Sequence, residues 1–89
     1  MDQQKIWLEK LEAEGWKDLA VYTDPPLYVR EYHSHDETTA HVILHGSMEF
    51  TIHGQTRMYK ERDRFEVEPH VIHKAVMGAA GCTYIVGEK

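Results

Sequence analysis

From Trp16 onward the sequence reads as short runs divided by turn signals, and that punctuation limits the folds open to it. Breaks fall at Asp24-Pro25-Pro26, Gly46, His53-Gly54, the charged stretch Lys60-Glu61-Arg62-Asp63, Pro69, and Gly78-Ala79-Ala80-Gly81. Proline cannot donate to a strand ladder, and glycine supplies the positive φ that tight turns need. The runs between the breaks are Leu19–Tyr22, Leu27–His35, Thr39–His45, Met48–Ile52, Thr56–Tyr59, Phe65–Val67, Val71–Met77 and Cys82–Val86. Met48, Phe50 and Ile52 alternate cleanly onto one face. Eight short strands at regular spacing predict an all-β sandwich or barrel.

The segment before Trp16 differs. Trp7, Leu8 and Leu11 form one apolar stripe at helical spacing, Asp2 suits a helix start, and Gly15 suits its end. The chain therefore divides into an amino-terminal helix, residues 1–15, and a β domain, residues 16–89. A single stripe must be covered, either by the outside of the sheet or by a second subunit. Exposed edge strands together with that stripe predict a homodimer.

A chain of 89 residues makes one small domain, which a metal or a partner subunit would help to stabilise. The net charge of −5 and the absence of a basic cluster argue against nucleic acid and against an anionic membrane surface. One cysteine, Cys82, excludes an internal disulfide, and it reads as a small buried hydrophobe. The polar start Met1-Asp2-Gln3-Gln4-Lys5 lacks the apolar stretch of a signal peptide, so a cytoplasmic location is expected.

Chemistry concentrates between His33 and Gly46. Strand alternation puts His33 and His35 on one face, and Thr39, His41, Ile43 and His45 on one face of the next run. If the two runs look into the same interior, three imidazoles converge, and His73 can supply a fourth. Neutral imidazole is the commonest zinc ligand and also suits iron, nickel and copper. The same alternation makes Glu31, Thr39, Ile43 and Met77 pocket-lining candidates, since they share faces with these histidines. A bulge at the start of the third run would instead bring Glu37 in as a carboxylate ligand. A polar pocket of histidines without metal is the alternative. His45 falls at the rim, while His53 and His70 fall in turns. Arg30, Arg57, Arg62 and Arg64 read as outward or in turns, leaving no clear arginine pair inside the barrel to mark a carboxylate or phosphate substrate. Ser34 points away from both flanking imidazoles, which disfavours nucleophilic catalysis.

In this order of features the chain resembles a small single-domain cupin, a superfamily marked by G-x5-H-x-H-x3,4-E-x6-G and G-x5-P-x-G-x2-H-x3-N. His33-x-His35 and Gly46 stand in register with the first motif, and His73 with the histidine of the second. The hairpin turn His53-Gly54 falls between them, and the match runs roughly from Tyr22 to Val86. The motif glutamate falls on Thr39, with His41 as the substitute two residues on; the opening glycine falls on Leu27. In the second motif Arg62, Glu68, His70 and Met77 replace glycine, proline, glycine and asparagine.

The resemblance implies an all-β cupin β-barrel of jelly-roll type with a short amino-terminal helix. It implies a divalent transition metal (Zn, Ni, Fe, Mn or Cu) on His33, His35, His41 and His73. A small polar or anionic molecule would share the pocket. A metal-dependent dioxygenase, isomerase or hydrolase acting on a small carbonyl or hydroxy compound is the alternative, since a fold does not dictate a function.

Overall fold

The computed structural model describes residues 2–89; residue 1, the start of the predicted helical segment, lies outside the described residues. One helix, α1 (Gln3–Ala13), precedes six strands: β1 (Lys17–Asp24), β2 (Val29–His33), β3 (Thr39–Ile52), β4 (Gln55–Lys60), β5 (Arg64–Val67) and β6 (His73–Glu88).

The eight expected runs are present as paired segments, but two pairs of them are continuous strands. Gly46 bends β3 without ending it, so Thr39–His45 and Met48–Ile52 are one strand. The stretch Gly78–Gly81 likewise bends β6 instead of forming a separate turn. Ladder pairing runs antiparallel on either side of each bend, with register shifts between Ile43 and His45 and between Gly46 and Met48. A bulge carries one extra residue, so it exchanges which parity of residue faces inward. Odd-numbered residues of β3 (His41, Ile43) face the interior before the bend and even-numbered ones (Met48, Phe50) after it. In β6 the change runs from His73, Ala75 and Met77 to Cys82, Tyr84 and Val86.

The two bent strands are shared by two four-segment layers. The carboxy-terminal half of β6 pairs with β1 and with the first half of β3, which pairs with β5. The amino-terminal half of β6 pairs with β2 and with the second half of β3, which pairs with β4. The result is an open antiparallel barrel of jelly-roll type. Its interior is filled by Ile43, Met48, Phe50, Val67, Ala75, Met77, Cys82 and Tyr84.

A second apolar cluster lies outside the first layer. Ala40, Val42, Leu44 and Ile85 point outward there and are covered by Leu11 and Trp16, with Trp7, Leu8 and Leu19 at the edges. The helix stripe is thus spent on the chain's own sheet, and a partner subunit is not needed to cover it. Asp2 caps the helix by accepting from the backbone N–H groups of Gln4 and Lys5 at 3.1 and 3.3 Å. Arg64 of β5 donates from Nη1 to Glu14 Oε2 at 3.0 Å, tying the helix end to the barrel. Among the described residues no helix is long and apolar enough to cross a membrane.

The bends of β3 and β6 lie against each other. A Cβ placed on Gly46, whose φ is +77°, would sit 2.0 Å from the Gly81 carbonyl oxygen. Gly54, in the β3–β4 hairpin with φ +74°, would meet nothing within 4 Å. Gly46→Ala therefore combines backbone strain with a backbone collision and should destabilise by at least about 3 kcal/mol. Gly54→Ala carries the strain alone, about 1–2 kcal/mol. Urea unfolding of the two variants measures the difference, and equal losses would contradict the packed-corner account.

Candidate functional site

Three of the histidines meet at one end of the barrel, with His73 buried, His35 half-buried and His33 exposed. His33 closes β2, His73 opens β6, and the two are register partners in the β2–β6 ladder. His35 lies beyond the end of β2, in the loop before β3, and not within the strand as expected. That loop is held in place by the His70 backbone N–H, which donates to the His35 carbonyl at 2.7 Å. Ring centroids are 4.3 Å apart for His33 and His73, 5.0 Å for His33 and His35, and 5.2 Å for His35 and His73. One nitrogen from each of the three rings lies within 4.8 Å of the others.

Backbone contacts orient these rings. A carbonyl can only accept, so His73 Nδ1 must carry its proton to reach the Val71 carbonyl at 2.9 Å. His33 Nδ1 donates in the same way to the Glu31 carbonyl at 2.6 Å. The proton is thereby placed on Nδ1 and the lone pair on Nε2. Metal-binding histidines are commonly oriented by this kind of backbone acceptor. His73 Nε2 is fully buried and has no hydrogen-bond partner among the described residues. A donor set of neutral imidazoles with such an orphaned lone pair fits a borderline divalent cation.

His41 stands further in. Its ring is 6.4 Å from that of His73, outside the close trio, and it stacks on Phe65 at 4.7 Å with nearly parallel planes. It is 5% exposed, and its Nδ1 lacks a partner among the described residues. Register is continuous from Thr39 to Ile43, so His41 faces inward with no bulge before it. Glu37 does not join the trio; it borders a surface hollow with Ser34, His35, Asp36 and Glu88.

The remaining candidates fall elsewhere. The Glu31 side chain is exposed, and what β2 offers His33 is its backbone carbonyl. Thr39, Ile43 and Met77 are fully buried, but they are not among the residues walling the histidine cavity. His45 is exposed beside Glu61, and His53 and His70 are exposed in turns. Cys82 is buried, and burial pushes its thiol up to about 12, which leaves it inert.

The cavity itself holds about 110 Å³. Besides the four histidines, its walls are Met48, Phe50, Ala75 and Val86 on the apolar side and Tyr22, Arg30 and Tyr84 on the polar side. Arg30 corrects the expectation that every arginine points outward. The β2–β6 ladder shifts register between Arg30 and His33, and this bulge turns both side chains to the cavity although strict alternation would separate them. Arg30 Nε and Nη2 donate to Asp24 Oδ2 and Oδ1 at 3.1 and 2.9 Å. The Tyr84 hydroxyl donates to Asp24 Oδ2 at 2.7 Å. Burial would raise the Asp24 carboxyl, but the hydrogen bonds from Arg30 and Tyr84 outweigh it and hold the group below its usual range. The sequence signal available for this pair was Asp24 before Pro25-Pro26, read only as a strand stop.

The architecture and the histidine cluster together define a cupin ligand-binding domain. By its sequence the chain belongs to the family described as the AraC-like ligand binding domain, whose model matches residues 17–86. No curated protein matches the sequence. Among solved structures, a cupin superfamily protein from Desulfitobacterium hafniense is similar with a TM-score of 0.73 and 16% identity, over 79% of this chain and 64% of that one. KdgF from Halomonas sp. is similar at a TM-score of 0.63 and 17% identity, over 83% and 86% of the two chains. The cupin domain of Schizosaccharomyces pombe Cnp3 gives 0.70 and 17%, over 80% and 55%. At these identities the likeness concerns the fold. The chain spans less than two thirds of the length of the first structures it matches, 64% and 63%.

Burial makes the site acid-sensitive. Burial, reinforced by neighbouring His73, His35 and His33, pushes the His41 imidazole down from 6.5 to about 3. Burial also lowers His35 and His73, with the other imidazoles adding to it; nearby Asp36 and the Val71 carbonyl oppose the shift. These groups take up protons more readily in the unfolded chain. Their contribution to stability is therefore complete above pH 6.5 and lost as the pH falls below it, for His41 down to about 3. Asp24 adds acid sensitivity only below its own ordinary value of 3.8. Metal-free protein should lose about 1.4 kcal/mol per pH unit below 6.5 through His41 alone. His41→Leu should reduce that slope by about one proton. Urea unfolding at a series of pH values checks this, and an unchanged slope in the variant would count against a buried neutral His41.

Proposed function

We propose that this cupin domain holds one divalent transition metal on His33, His35 and His73 and presents it to a small polar or anionic molecule in the same cavity. His41 faces that molecule as a neutral imidazole. The observation that carries the reading is His73: its Nδ1 proton is committed to the Val71 carbonyl, and its buried Nε2 lone pair has no partner among the described residues. An unpaired buried acceptor is costly, and a cation among three convergent nitrogens would relieve it. When bound, the metal would supply a Lewis-acidic position, its ion charge undiminished because all three nearest donors are neutral. The protein's own part is to orient the imidazoles through backbone carbonyls, to line the cavity with Met48, Phe50, Ala75 and Val86, and to limit the size of what enters.

Metal content by mass spectrometry of untagged protein purified without chelator tests this. About one metal per chain is expected, with affinity at least hundredfold weaker in His73→Ala, since even outer-shell losses weaken metal binding about 10–100-fold. No metal in the native protein and none taken up on titration would overturn the reading. Turnover of a small hydroxy or carbonyl compound by the loaded protein would move it from a binding module to the enzyme alternative.

We also infer a homodimer formed along the β1–β2 side. Both strands pair only with β6, and Val21, Tyr22, Leu27, Tyr28 and Val29 leave apolar surface exposed there. With the helix stripe already covered, this edge is the surface that a second copy would bury. Sedimentation at micromolar concentration should report a dimer, and a monomer would count against the inference.

A further inference from the structure

Arg30 is the one strong cation in the wall of the histidine cavity, and its contacts leave part of it unused. Asp24 takes the side-on edge of the guanidinium, pairing with Nε and Nη2. The Tyr84 hydroxyl also donates to Asp24, and the rings of Tyr22 and Tyr28 flank the guanidinium at 5.4 and 5.3 Å. The aspartate side chain is 7% exposed, whereas that of Arg30 is 38% exposed. A guanidinium carries five N–H groups. Those on Nη1, and the second on Nη2, have no protein partner among the described residues. They form the end-on edge of the fork, the geometry that receives a carboxylate with two parallel hydrogen bonds.

We propose that Arg30 is the carboxylate-recognition residue of this cavity, and that the ligand is a short carboxylic acid bearing a second oxygen for the histidine cluster, of the 2-hydroxy or 2-keto acid class. This rests on the metal-binding reading for the second oxygen only; the carboxylate contact belongs to Arg30. The cavity volume of about 110 Å³ sets the length. A cavity near 150 Å³ encloses benzene, so the enclosed part of this ligand is smaller than six heavy atoms. Charge acts in the same direction. Asp24 balances Arg30, and an imidazole that binds a metal through its lone pair adds no charge, so a divalent ion would leave the cavity with excess positive charge that an anion offsets.

The test is calorimetric titration of zinc-loaded and metal-free protein with glycolate and glyoxylate, the five-heavy-atom members of the two classes, each beside its uncharged amide. The loaded native protein should bind at least one acid tighter than its amide. Arg30→Gln should weaken that acid at least about tenfold while changing the amide less than threefold, and zinc uptake should stay unchanged. Arg30→Lys guards against a folding defect, because it retains the charge toward Asp24 but lacks the end-on fork; it should weaken the acid as well. Acid binding unaltered in both variants would overturn the proposal and leave Arg30 as a link between β1 and β2. So would the absence of acid binding to native protein in either state. If native protein takes up no zinc, the metal reading fails by itself. Arg30-dependent binding of an acid to the metal-free protein would then still support the carboxylate contact, and Arg30-independent binding would refute it.

Discussion

The pairing of β3 with β6 is the constraint on which everything else in the molecule rests. Both strands traverse the two layers, and both bend where Gly46 faces the Gly81 carbonyl too closely for any side chain. The bend does more than turn a corner. By changing the parity of inward residues it lets one strand present His41 and Ile43 in one layer and Met48 and Phe50 in the other. It does the same for His73 and Ala75 against Tyr84 and Val86 on β6. A regular strand of this length would have pointed half of these side chains to the outside.

The histidine cluster depends on backbone geometry as much as on side-chain identity. Carbonyls of Glu31 and Val71 hold the Nδ1 protons of His33 and His73, and this frees the opposite nitrogens. His35 owes its place to a loop anchored by the His70 backbone, so a residue outside the cluster positions one within it. Burial then keeps His35, His41 and His73 neutral near pH 7, which is the state a metal ligand requires. The same apolar walls bound the cavity at about 110 Å³.

Strand alternation was a good guide within each regular run and failed at the register shift of β2. It assigned Ala40, Val42 and Leu44 to the face opposite His41 and Ile43, and the structure places the first three beneath the helix and the other two inside. At the β2 bulge the same rule paired Glu31 with His33 and turned Arg30 outward, whereas Arg30 and His33 both reach the cavity. The runs on either side of Gly46 and of Gly78–Gly81 were readable, but their continuity was not, because a glycine that bends a strand carries the same local signal as one that ends it.

What the sequence by itself determined is the set of β segments, the capped amphipathic helix, and the histidines available to one interior. Each follows from period, composition or turn chemistry within a few residues of chain. Only the tertiary structure decided which side chains meet. Asp24, Arg30 and Tyr84 come from three different strands, and their network exists because β1 and β2 both pair with β6. The separation of His41 from the close trio of His33, His35 and His73 is likewise set by how the two layers stack, not by spacing along the chain. Contacts between distant segments depend on bulges and layer packing, which leave almost no trace in local sequence.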